Sequence, residues 1–203
     1  TTFTSSANVR VTEFMAALGY GAKNGNNRYS YEESSPVANL FLNLKYMIER
    51  DGKVKDNAYF DTIYSEGKVS LLENNAYLPL GFLANSQLLN VDFKDVDNRF
   101  IFQNDLLRSA TGIQQEVWSL IPGSLLAITG DATSLSTYPA TGYSAYDKES
   151  KAGTITYSYT ANREGLLCVF IEQSKRNNLS FWLNGTELYT ESYTVPQMLS
   201  IAD

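Results

Sequence analysis

The dipeptide Asn184-Gly185, following Leu179-Ser-Phe-Trp-Leu183, constrains this chain more tightly than any other feature. A two-residue hairpin loop needs positive φ at both central positions, which asparagine and glycine tolerate, so the pair predicts two antiparallel strands joined by a tight turn. The same kind of signal extends upstream. Gly153-Thr-Ile-Thr-Tyr-Ser-Tyr159 alternates with period two, and Gly165 to Ile171 is almost continuously apolar, as strands with one or both faces covered are. Pro122-Gly123 marks where this β region opens. Aromatic residues make up 13% of the chain, with 14 Tyr, and they favour a pleated, half-buried surface. Residues 113–203 are therefore expected to form an antiparallel β-sandwich or jelly roll.

Residues 1–112 read differently, as a mixed α+β region, so the fold class expected for the whole chain is α+β. Val11, Phe14, Met15 and Leu18 follow the i, i+3, i+4, i+7 spacing of an amphipathic helix, with Asn8 as N-cap and Gly19 as stop. Gly21 to Asn27 contains Asn24-Gly25 and reads as a turn or loop. Ser34-Ser35-Pro36 supplies a cap and an N1 proline for a helix reaching Asn43, and Leu44-Lys-Tyr-Met-Ile48 follows as a strand ended by Asp51-Gly52. Tyr59 to Tyr64, Lys68 to Leu72 and Leu78 to Leu83 then read as a three-run β-meander. Phe100 to Ala110 returns to a helical pattern that Gly112 ends.

Several function classes are excluded by what the chain lacks. It has no histidine, so serine-histidine and cysteine-histidine mechanisms are ruled out within it. There is no Walker loop, and no Gly-x-Gly-x-x-Gly opens a helix after a strand. The net charge is -6, and the longest basic run is Lys175-Arg176, which argues against a nucleic-acid partner. No stretch approaches the ~20 apolar residues that cross a bilayer, and residues 1–20 lack the features of a signal peptide. The start at Thr1-Thr2 and the end at Asp203 directly after an apolar stretch suggest that both ends continue in a longer chain. The single Cys168, inside an apolar run, is expected to be a small buried hydrophobe.

Few residues suggest chemistry. Asp92, Asp95 and Asp97 offer hard oxygen ligands, but they lack EF-hand spacing and a distal Glu, so a solvated loop is expected and no metal site is assigned. Glu32-Glu33 are adjacent, and neighbouring side chains on an extended segment point to opposite faces, which is a poor arrangement for flanking one glycosidic bond. Asn178-Leu-Ser and Asn184-Gly-Thr fit the N-glycosylation pattern, a short match that the turn already explains at the second site. Tyr138, Tyr143 and Tyr146, in a Ser/Thr/Gly/Ala-rich stretch, are the candidate ligand contacts, because a phenol ring stacks on a sugar through its face and bonds through its tip. The competing reading makes them caps over the sandwich core, with Trp182 buried in that core. No catalytic residue and no cofactor is expected.

An ordered series of short stretches resembles the non-membrane segment of YfhO family proteins. Its members are Ser5-Ser-Ala-Asn8, Glu13-Phe-Met-Ala-Ala-Leu-Gly19, Tyr29-Ser-Tyr31, Ser35-Pro36 and Asn43-Leu-Lys-Tyr-Met-Ile48, followed by Glu73-Asn74, Leu78-Pro-Leu-Gly-Phe82, Phe102-Gln-Asn-Asp-Leu-Leu107 and Trp182-Leu-Asn-Gly185. The resemblance implies an extracytoplasmic domain of a bacterial polytopic membrane protein similar to GT-C-type glycosyltransferases. The parent protein would transfer sugars to cell-envelope polymers such as teichoic acids, with its catalytic carboxylate near membrane helices that this sequence does not contain. The domain itself would position the acceptor or bind glycan. A structural or protein-interaction role is the alternative.

Overall fold

The computed structural model describes residues 8–22, 29–30, 35–50, 59–138, 142–172, 177–193 and 197–202. Among the described residues, three α-helices and many antiparallel strands in small sheets make the chain α+β. It divides into two compact units, one formed by Thr1–Gln115 with Gly165–Asp203 and the other by Glu116–Glu164.

Local chemistry sets the helices of the first unit. In α1 (Val9–Ala17) the Asn8 side chain accepts from the Arg10 N–H, and Gly19 sits at φ +87 just past the helix, a value that favours glycine. In α2 (Pro36–Phe41) the Ser35 hydroxyl accepts from the Ala38 N–H at 3.1 Å, and Pro36 opens the helix. This helix stops at Leu42 because Asn43 turns left-handed at φ 54, letting the Leu44 N–H donate back to the Asn39 carbonyl at 3.0 Å. The third helix, α3 (Arg99–Thr111), is capped by the Asn98 carboxamide and ended by Gly112 at φ 77.

Packing joins these helices. Met15, Ala16, Ala17, Leu18, Tyr20 and Ala22 form one buried cluster with Ala38, Phe102 and Leu106. Gln103 lies fully buried at its centre. Its Nε2 donates to the Leu18 carbonyl at 3.0 Å, and its Oε1 accepts from the Ser35 hydroxyl at 2.6 Å. One side chain thereby ties the end of α1 to the cap of α2, satisfying polar groups that burial would otherwise leave costly.

Among the described residues, four small antiparallel sheets complete this unit. The segment read as a loop from Gly21 begins instead with β1 (Gly21–Ala22), which pairs with β2 (Tyr29–Ser30); Asn24-Gly25 lies outside the described residues. The strand expected from Leu44 is β3 (Tyr46–Glu49), and the first two runs of the meander are β4 (Phe60–Glu66) and β5 (Val69–Asn74). Their spatial order is β3-β5-β4. The expected third run, Leu78 to Leu83, is not a strand, because β3 occupies the free edge of β5 where it would have paired. The Asp51-Gly52 turn lies outside the described residues.

The late strands pair two by two. In the second unit β6 (Ser124–Tyr138) and β7 (Tyr143–Ser158) form one long ribbon. In the first unit β8 (Leu167–Ile171) pairs with β11 (Gln197–Ala202), and β9 (Asn177–Leu183) pairs with β10 (Thr186–Tyr193) across the predicted turn. Asn184 and Gly185 there take φ 50 and 83 as the turn requires. Met198 of β11 reaches the helical core, where its N–H donates to the Gly19 carbonyl at 2.7 Å; a Cβ on Gly19 would sit 3.0 Å from the Met198 Cβ.

Two burial expectations are corrected. Trp182 is 61% exposed rather than core. Leu179, Phe181 and Leu183 alternate onto the more covered face of β9, which sends Trp182 outward with Asn178 and Ser180. Cys168 is only partly buried, because β8 belongs to a two-stranded sheet and all five of its residues keep intermediate exposure.

Candidate functional site

The ribbon of the second unit is bent back on itself, and glycine makes the bend. Gly130 pairs with Gly153, but the next pair is Ala132 with Lys148, so residues 149–152 stand opposite Asp131 alone. A Cβ on Gly130 would lie 2.4 Å from the Ala152 carbonyl oxygen, and one on Gly153 would lie 2.4 Å from the Ala132 nitrogen. Only a pair without side chains permits this approach. The Asp131 carboxylate then accepts from the Lys151 N–H at 2.6 Å, which holds the bulge.

A row of tyrosines gathers inside the bend. Tyr146 and Tyr157 meet edge to face at 6.4 Å, and their hydroxyls are hydrogen-bonded. The Tyr157 hydroxyl also donates to the Ser144 hydroxyl at 3.1 Å. Tyr159 continues the row, its ring 5.8 Å from that of Tyr157 and tilted by 30°. Gly123 leaves room for the Tyr159 ring, since a Cβ there would approach it to 2.4 Å. Burial, reinforced by the hydrogen bond with Tyr157, pushes the Tyr146 phenol up to about 12; burial also raises that of Tyr159.

The three sequence candidates take different places in this ribbon. Tyr146 turns into the row, while Tyr143 is half exposed beside the turn. Tyr138 pairs in register with Tyr143, and its side chain lies outside the described residues. Sequence reasoning missed Tyr157 and Tyr159 as partners of this group. Their period-two spacing was a visible sign that they share a face, but the bend that carries that face to Tyr146 leaves no local signature beyond two distant glycines.

The first unit has an open cleft of about 480 Å³ between the 3-10 turn Ser86–Asn90 and α3, lined by Gln87, Asn90, Val91, Phe102 and Ser109 with Asp92 and Asp105. Both carboxylates are engaged. Asp92 accepts from the Lys94 N–H at 3.0 Å, and Asp105 pairs with Arg108 at 2.9 Å. Among the described residues no group of three His, Cys, Asp or Glu side chains converges to hold a metal. Glu32-Glu33 lie outside the described residues. Arg99 packs its guanidinium 4.4 Å from the Phe170 ring centroid, and burial lowers its pKa against the opposing pull of Glu172 and Asp97.

None of the described helices is long and apolar enough to cross a membrane. No curated protein and no solved structure is significantly similar to the chain. The sequence model of the family described as "Bacterial membrane protein YfhO" matches residues 1–202, nearly the whole chain, and the protein therefore belongs to that family.

Proposed function

We propose that this chain is an extracytoplasmic domain of a polytopic YfhO-type protein and that it helps position the acceptor during transfer of sugars onto cell-envelope polymers. Family membership supports the membrane setting. The observation that carries the glycan reading is the tyrosine ribbon, in which half-exposed Tyr159 extends a hydroxyl-bonded Tyr146–Tyr157 pair that also bonds Ser144. Ring faces beside hydroxyl groups match the two sides of a pyranose, its C–H face and its hydroxyl rim. The ribbon supplies contact and orientation to the acceptor.

Titration of the purified chain with cell-envelope glycans and teichoic-acid fragments, followed by tyrosine fluorescence and NMR shifts, tests this. Saturable shifts at residues 143–159 are expected. Tyr159→Ala should weaken binding roughly threefold to tenfold, the scale of one exposed aromatic contact. An unchanged spectrum at millimolar glycan would remove the proposal.

A second reading, a protein-interaction domain, rests on the leucines the ribbon exposes. Leu126 and Leu135 occupy its bulges and are 64% and 65% exposed. Binding of another envelope protein that is lost in Leu126→Ser and Leu135→Ser, with no glycan response, would favour it.

A further inference from the structure

From Asn74 through Val91 no residue carries a charge, although charged residues make up 19% of the chain. Beyond Asn74, the last residue of β5, the segment is irregular apart from the turn Ser86–Asn90. Leu88 packs against the helical core, but Leu80 and Leu83 do not fold inward: they are 92% and 103% exposed. The exposure is built into the fold. Asn43 donates its carboxamide N–H to the Leu78 carbonyl, Phe82 packs edge to face on Phe41 at 6.3 Å, and the Asn85 N–H donates to the Ala110 carbonyl at 2.8 Å. Anchored at these points, the loop holds Leu80 and Leu83 out in water, where they cost free energy unless something apolar covers them.

We propose that this loop seats on a lipid bilayer, inserting Leu80 and Leu83 at the acyl boundary with Tyr77 and Lys45 at headgroup level. Three observations select lipid as the occupant. The chain belongs to a family of membrane proteins. The run is free of the charges that resist desolvation, which suits an acyl surface, and the net charge of -6 gives no electrostatic attraction to anionic lipid in its place. At the base of the loop, the Lys45 ammonium stands 5.1 Å over the Tyr77 ring and 4.9 Å over the Tyr46 ring. Tyrosine with a long cationic side chain is the combination that settles where hydrocarbon meets water. The contact is shallow, since irregular backbone keeps its hydration only at the interface.

The test is flotation of the whole chain with zwitterionic phosphatidylcholine vesicles at low and high salt, compared with the double variant Leu80→Ser/Leu83→Ser. Retention that salt does not alter is expected, and the double variant should lower the partition coefficient roughly tenfold per leucine. Its thermal midpoint should match the parent's, because neither side chain is covered. A second reporter does not depend on loss of binding: Leu83→Trp emission should shift to the blue when vesicles are added. Absence of retention, equal retention of the double variant, or no blue shift would each overturn the proposal. Self-association without lipid that the double variant abolishes would also overturn it, by assigning the surface to a second copy. Glycan titration reports on the other unit, so failure of either proposal is read separately.

Discussion

The Tyr146 and Tyr157 hydroxyls are hydrogen-bonded to one another although eleven residues of a single strand separate them. Extended, that stretch would span about 36 Å. The contact exists because Gly130 and Gly153 let the ribbon bend sharply at the bulge that Asp131 fastens. Gly130 sits at φ 68, so a branched residue there meets both backbone strain and the Ala152 carbonyl. Gly130→Val is expected to destabilise the second unit by roughly 2 kcal/mol or more and to erase the nuclear Overhauser contact between the two rings. Retention of that contact in both Gly130→Val and Gly153→Val would show that the bend does not depend on these glycines.

The same pair makes a pH prediction. Tyr146 has its phenol raised to about 12 by burial and the bond to Tyr157, above the ordinary value of 10.0. The unfolded chain releases this proton first, so the folded state binds more protons between the two values and stability falls as pH rises through that window. Below pH 10 the contribution is fully present. Phenolate absorbance should therefore show a late-titrating tyrosine that disappears in Tyr146→Phe; a single transition near pH 10 in the parent would contradict the burial of this ring.

Gln103 binds the Leu18 carbonyl and the Ser35 hydroxyl from one buried position. Gln103→Leu breaks both hydrogen bonds and leaves the two buried partners behind, so a loss of roughly 1–3 kcal/mol is expected in chemical denaturation. Ser35→Ala alone should cost about 1 kcal/mol through its cap. Because the two share a hydrogen bond, the double variant should lose less than the sum, with a coupling of at least about 0.5 kcal/mol. Additive losses would mean the buried bond contributes nothing of its own.

Trp182 stands on the solvent side of its hairpin at 61% exposure. Iodide should quench its fluorescence strongly, and Trp182→Phe should remove that quenchable component while shifting stability by less than about 1 kcal/mol. A shielded, blue-emitting Trp182 would restore the core assignment that the residue type alone suggests.

Features governed within a few residues were legible in the sequence. Ser35-Pro36 caps a helix, Gly112 ends one, and Asn184-Gly185 turns a hairpin because each acts through its own φ or a hydrogen bond three or four residues away. The ordered family motifs were legible for a related reason, since they are strings rather than contacts. Tertiary structure decided what depends on competition between distant surfaces. β3 took the edge of β5 that Leu78 to Leu83 would have needed, and β11 paired with β8 across an intervening hairpin. Trp182 went to water because its neighbours covered the other face, and Tyr146 met Tyr157 because two glycines came close enough to fold a strand over. Period-two alternation separates two faces of a strand but does not say which one is covered. That choice is made by whatever else the chain brings alongside.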